Sequence, residues 1–347
     1  MWQKISRWLD QRGQADRSGF SAPPPMASGM RARSAKPAYD RALRRGPEDW
    51  PGAGETLGVL APRLAGCHTW IYQLQNINWE RIEASISDVA VIDLSSDGSE
   101  ASVFSTGQIE RMRCKPGGGD TTLLCYLSVG AAEPWRYYWN PKWTRARPGW
   151  MDGAPAEWSG SQLVRYWDQR WHAIVYEQAG SLLDRILSLG FDGVVLDGVD
   201  AFEHFRAAGR QSAPDEMIDL VARLGARAWQ VAPNFLVVPV NGEELLGSPR
   251  YRSVISAMIR EDILYRPDYS TGRDAVIENN ERIVAGIMSD LRLAQADAIP
   301  VLAVEYLRDQ LADEARIELA TRRLRGMSLV PTFAPRRLDR LTPPPYL

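Results

Sequence analysis

Apolar and polar positions divide the chain into two unlike parts. From residue 68 onward, short apolar or β-branched runs alternate with stretches of helical spacing. The runs are WIYQLQ (70–75), VAVIDL (89–94), TLLCYLSVG (122–130), GVVLD (193–197), FLVVPVN (235–241), SVISAMI (253–259), PVLAVEY (300–306) and MSLVPTF (327–333). Continuous apolar runs of this length suit strands buried on both faces, as in parallel sheets. Between them, NWERIEASIS, SLLDRILSLG, PDEMIDLVARLGARAWQ, DAVIENNERIVAGIMSDLRLAQADA and DQLADEARIELATRRLRG carry helical periodicity. Gly190 suits a helix C-cap and Pro214 a helix start. Strand then helix, eight times over, predicts an α/β fold: a single (β/α)8 TIM barrel across residues 61–347. An open doubly wound sheet is the alternative, but no glycine-rich phosphate turn follows the first run.

Upstream the pattern stops. Residues 14–60 are rich in Ala, Pro, Gly, Ser and Arg, so 1–60 reads as a flexible leader. Trp2, Ile5, Trp8 and Leu9 share helical spacing, which fits a membrane-surface helix or a short fraying turn. The opening segment lacks the apolar core of a secretory signal. No apolar run reaches the roughly 20 residues that span a bilayer.

Composition narrows the chemistry. Of the 347 residues, 45% are hydrophobic, ample for a large core, and the formal net charge is −2. A protein reading nucleic-acid phosphates needs a basic surface, so nucleic acid is not an expected partner. Cys67, Cys114 and Cys125 form no framework or zinc spacing. His68, His172 and His204 form no metal-binding pair. No Gly-x-Ser-x-Gly elbow marks an acyl-transfer nucleophile, and no cofactor is implied.

Polar residues at the carboxyl ends of barrel strands are the functional candidates. Here they are Gln73 and Gln75, Asp93, Ser128 followed by Glu133, Asp197 and Asp200, Asn241, Glu261, Glu305 and Thr332. Several have plain structural readings. Asp93 suits a turn, Asp200 an N-cap, and Glu133 and Glu261 suit ion pairs with Arg136 and Arg260. Asp197 and Glu305 each end an apolar run directly, which favours function. Two acids flanking a glycosidic bond suffice for hydrolysis without histidine. Aromatic residues add to that reading. Seven of the thirteen tryptophans lie between 135 and 171, namely Trp135, Trp139, Trp143, Trp150, Trp158, Trp167 and Trp171, with Tyr137, Tyr138 and Tyr166. Trp135, Tyr138 and Trp139 follow the third run closely and are expected to overhang the mouth as sugar platforms, or to form a small loop core.

Five ordered motifs, CYLSVGAAEPWRYYW, GFDGVVLDGVDAFE, VPVNGEELL, IREDILY and VLAVEYLRD, resemble glycoside hydrolase family 114, which includes endo-α-1,4-polygalactosaminidases. The resemblance covers about residues 68–335. It implies a retaining glycosidase barrel acting on an α-linked, amino-sugar polysaccharide, and an extracytoplasmic location. Asp197 is the implied nucleophile and Glu261 the acid/base. Glu133, Asn241, Glu305 and Tyr306 are carried over as further site residues; Gln73, Asp93, Trp135, Tyr138 and Asp200 complete the expected substrate contacts. Characterised polygalactosaminidases tend to read Asp-Asn-x-Asp where this chain has Asp197-Gly198-Val199-Asp200, and Lys where it has Val240; the YYW and VRYWDQRW features resemble a sister branch instead. Retention calls for carboxyl groups about 5–5.5 Å apart, with Glu261 holding its proton and Asp197 ionised. Two other readings stay open: a non-catalytic glycan-binding barrel, and a metal-assisted hydrolase with Asp93, Asp197 and Glu305 around Mg²⁺.

Overall fold

The computed structural model describes residues 61–64, 66–153, 160–268, 275–308, 314–343 and 345. The expected leader at 1–60 and Trp158 lie outside the described residues. All eight runs contain strands: β1 Trp70–Tyr72, β2 Val89–Ile92, β3 Thr122–Ser128, β4 Gly193–Asp197, β5 Leu236–Pro239, β6 Met258–Glu261, β7 Val301–Glu305 and β8 Val330–Phe333. β1 to β5 form one parallel sheet, and β6 to β8 another. A parallel bridge between Val240 and Ile259, with the Asn241 N–H donating to the Ile259 carbonyl at 2.9 Å, joins β5 to β6. On the other side, Trp70 Nε1 donates to the Val330 carbonyl at 2.9 Å, and Thr332 Oγ1 to the Trp70 carbonyl at 2.7 Å. The ring closes as a (β/α)8 barrel, with helix between every pair of successive strands.

Alternation along the strands sorts two cores. Trp70, Tyr72, Leu124, Tyr126, Val195, Val238, Ile259, Leu302 and Val304 fill the barrel interior. Their neighbours, among them Ile71, Leu123, Cys125, Val194, Leu196, Val237 and Ala303, pack outward against the helices. Both faces are buried, which is why the runs read as continuously apolar. The same period of two aims strand-end side chains. Asp197 shares the inward face of Val195, and Glu261 that of Ile259, whereas Gln73 and Glu305 fall on the outward face.

Local signals place the elements. The helix Leu182–Leu189 starts at Ser181, whose side chain accepts the Asp184 N–H, and ends at Gly190 with φ +91°. Ala213–Val231 carries Pro214 in its first turn, as expected. Two runs start later than their apolar pattern. SVISAMI yields its first residues to the helix Pro249–Val254, capped by Ser248, so β6 begins at Met258. In MSLVPTF the second residue, Ser328, has φ +60°, which turns the chain before β8. Periodicity also missed two small antiparallel units over the barrel: a sheet of Ala131–Ala132, Gln162–Val164 and Met151–Gly153, and a hairpin of Tyr265–Pro267 with Val276–Glu278.

Candidate active site

Parallel register sets Ser128 of β3 opposite Asp197, and Val304 of β7 opposite Glu261, so the two acids reach the same rim. Both are buried. The phenol of Tyr72, inside β1, is pushed well above its ordinary pKa first by burial and then by the charges of Glu261 and Asp197. One inward tyrosine thus lies in the field of both acids.

Glu261 sits in a set of donors. Asn241 Nδ2 donates to Oε2 at 3.0 Å, and the Tyr306 hydroxyl donates to Oε1. The Glu261 N–H returns to Asn241 Oδ1 at 3.2 Å, and Arg260 Nη1 donates to that same oxygen at 3.2 Å. Backbone geometry supports this clasp. Asn241 has φ +58° and Asp262 has φ +57°, a region side-chain-bearing residues rarely occupy and one that concentrates at functional sites. Arg336, from the loop after β8, grips Asp262 with both terminal nitrogens at 2.9 and 3.2 Å, and its guanidinium lies 4.6 Å over the Tyr306 ring. Arg260, expected as the ion-pair partner of Glu261, pairs instead with Glu243 at 3.0 Å.

Asp197 sits differently. Its Oδ2 lies 2.9 Å from the Tyr126 hydroxyl. Burial raises its carboxyl pKa above the ordinary range, and the nearby charges of Glu261 and Asp200 push it further. The acid/base assignment expects Asp197 ionised; burial moves it toward the neutral acid, to a pKa of about 7. Behind it the chain is tightly packed: a Cβ on Gly130 would meet the Gly198 carbonyl at 2.3 Å, so the turns after β3 and β4 approach at a distance only glycine permits.

Other expected site residues are engaged in holding the mouth together. Arg136 donates to Asp93 through Nη1 and Nη2 at 2.9 and 2.7 Å, and to Glu133 through Nε at 2.6 Å, with all three residues buried. The Glu133–Arg136 pair foreseen as a surface contact is therefore a core one. Glu305 accepts the Leu264 and Tyr265 N–H groups at 2.7 and 3.1 Å, fixing the loop beyond Glu261, and burial raises its pKa to about 8. Gln73 donates to the Gln75 and Asn76 carbonyls, and Ser128 to that of Ala131. Asp93 and Glu305, which a metal-assisted hydrolase would aim at one ion with Asp197, thus have both oxygens in other bonds. Among the described residues no group of three or more His, Cys, Asp or Glu is placed to hold a metal ion.

The aromatic loop splits. Tyr138 packs edge-on to Trp171 at 5.8 Å and accepts the Glu133 N–H at 2.9 Å. Trp139, Trp143, Trp150 and Trp171 continue as a chain of ring contacts, a loop core. Trp135 is half-buried, with its indole beside Gly98 of the loop after β2. Asp200 makes no side-chain cap on its helix; it is half-buried beside Asp197. Sequence reasoning missed Tyr72, Tyr126 and Arg336, and read Arg136 only as a surface partner of Glu133. Inward parity with Trp70 and Leu124 was a readable signal for the two tyrosines; the Arg136 bond to Asp93 and the Arg336 contacts join loops and left none.

Comparison with known proteins agrees in fold and family. The model of the glycoside-hydrolase family GH114 matches residues 57–341. An uncharacterised protein of Thermotoga maritima is 34% identical over 201 residues, 56% of this chain and 60% of its own length. One of Deinococcus radiodurans is 30% identical over 283 residues, 81% of this chain and 84% of the relative. The chain thus spans about 60% of the Thermotoga relative. Among solved structures, the glycoside hydrolase domain of PelA from Pseudomonas aeruginosa superposes with a TM-score of 0.58 at 20% identity, covering 79% of this chain and 97% of that domain. That likeness is one of fold.

Proposed function

The chain belongs to glycoside-hydrolase family GH114, and on that premise we propose that it is an endo-acting, retaining glycosidase of an α-linked polysaccharide of galactosamine type. The observation that carries this reading is the pairing of two buried inward acids, Asp197 and Glu261, that both act on Tyr72. Asp197 attacks the anomeric carbon and forms the glycosyl–enzyme intermediate. Glu261 first protonates the leaving oxygen and then, as carboxylate, activates the water that resolves the intermediate. Asn241 and Tyr306 fix the Glu261 carboxyl so that one geometry serves both steps. Half-buried Trp135 offers a ring face to the C–H side of a sugar. Half-buried Asp200, with Glu203 and Glu243 in the same acidic neighbourhood, suits a cationic amino-sugar chain.

The test is digestion of a panel of α-linked polysaccharides, galactosamine polymers included, with the anomer of the first product read by proton NMR. Retention with release of internal oligosaccharides supports the reading. Inversion removes the covalent step, release of single end sugars removes the endo mode, and binding without turnover leaves only a glycan-binding barrel.

A further inference from the structure

Tyr126 faces two acids with one proton. Its hydroxyl oxygen lies 2.9 Å from Asp197 Oδ2 and 3.1 Å from Glu133 Oε1. Both distances are hydrogen bonds, yet a phenol has a single O–H. Were both carboxyls ionised, one contact would set lone pair against lone pair in a buried site, where an unmade bond and a bare charge are both costly. A second proton removes the conflict.

The neighbours decide where that proton rests. Glu133 has a cation, taking Arg136 Nε on Oε2 at 2.6 Å, though Arg136 is shared with Asp93. Among the described residues no Arg, Lys or His side chain pairs with Asp197. It faces, among the described residues, Glu261 from β6, Asp200 from its own loop, the Tyr126 phenol from β3 and the Tyr72 phenol from β1. Asp93, Glu133 and Arg136 together already carry one net negative charge; an ionised Asp197 would add a second.

We propose that Tyr126 couples Asp197 to Glu133 through one shared proton, so that Asp197 rests neutral and is released as a carboxylate by a shift along the phenol. At rest Asp197 Oδ2–H donates to the Tyr126 oxygen, and the Tyr126 O–H donates to Glu133 Oε1. In release, Asp197 passes its proton to the Tyr126 oxygen as Tyr126 passes its own to Glu133. Two O–H bonds break, two form, and the total charge is unchanged. Asp197 is left ionised with the Tyr126 O–H donating to it, the state a nucleophile needs. Tyr126 and Glu133 are then positioning residues that set the form of Asp197. Burial raises the carboxyl pKa of both Asp197 and Glu133, which favours one extra proton on the pair, and the Arg136 cation beside Glu133 directs it to Asp197. The role of Asp197 as nucleophile rests on the proposed function; its protonation does not.

Carbon-13 labels on aspartate carboxyl carbons and on tyrosine Cζ read this without substrate, using the intact chain. Asp197→Asn and Tyr126→Phe assign the two resonances by their loss. Asp197 should bind its proton at least about tenfold more tightly than the ordinary midpoint of about 3.9 implies, and Tyr126 Cζ should shift at the same midpoint. Glu133→Gln removes the acceptor and its charge, so the Asp197 proton affinity should fall by about tenfold or more, one pH unit. An ordinary Asp197 midpoint, or a Tyr126 resonance silent at that midpoint, overturns the shared proton; both are read in the native sequence and stand even where Glu133→Gln does not fold. Inactivity on every glycan would strike the proposed function and leave these midpoints untouched.

Discussion

Arg136→Met tests whether the expected site acids Asp93 and Glu133 hold the mouth together. Arg136 makes three charge-assisted bonds, at 2.6, 2.7 and 2.9 Å, to two buried acids on the second and third strand loops. Each such bond contributes roughly 1.5–3 kcal/mol net, but they share one guanidinium and do not add. Removing one partner of a buried ion pair costs about 3–5 kcal/mol, because the other partner keeps its desolvation penalty. Met fills most of the volume, so about 4 kcal/mol is expected, a large share of a typical total of about 5–15 kcal/mol. Denaturant unfolding at constant slope measures it. Acid should relieve the loss. Burial already raises the Glu133 pKa, and without the cation it rises further. A carboxyl whose folded pKa is raised contributes stability below its unfolded pKa and loses it as pH rises through the folded one, so the deficit should shrink from pH about 7.5 to about 5. Arg136→Lys keeps the charge but loses the fork and should fall between. A loss under about 1 kcal/mol, the range of an exposed pair, or one that grows in acid, refutes the reasoning.

Other outcomes follow from the same geometry. Glu305, raised to about 8, contributes stability that is full below its unfolded value of about 4.3 and lost as pH climbs through about 8; Glu305→Gln should flatten thermal stability over that window. Gly130→Ala drives a Cβ into the Gly198 carbonyl, so it should cost about 1–3 kcal/mol in unfolding experiments and lower turnover by displacing the Asp197 turn. Trp135→Ala should raise KM for the polysaccharide by up to about tenfold, worth 1.4 kcal/mol, with kcat little changed and the fold intact by circular dichroism. With substrate in hand, the acid limb of kcat/KM should lie above the ordinary carboxylate range, and Glu133→Gln should move it to lower pH.

The barrel was legible because its strands are buried on both faces, and a continuous apolar run ending in a polar residue needs no tertiary information to be read. Aim was legible only in part. Counting twos from Val195 and Ile259 turns Asp197 and Glu261 inward, and the same count turns Glu305 outward, although all three end their runs alike. Glu305 read as a site residue because an acid after VLAV is conspicuous; in the fold it accepts two loop N–H groups. The Arg136 and Arg336 contacts join loops whose approach only the closed barrel fixes, and the tryptophan-rich stretch builds a chain of ring contacts that composition alone does not show.

The assignment of Asp197 as nucleophile meets its most direct test in turnover of Asp197→Asn beside the native chain, on whichever α-linked polysaccharide the native chain cuts. The substitution keeps shape, and with the Tyr126 hydroxyl still facing an oxygen or an amide the fold and glycan binding should persist. Turnover should vanish while affinity for the chain remains. Near-native turnover by Asp197→Asn contradicts the account, and the attacking group would then have to be sought elsewhere at the mouth.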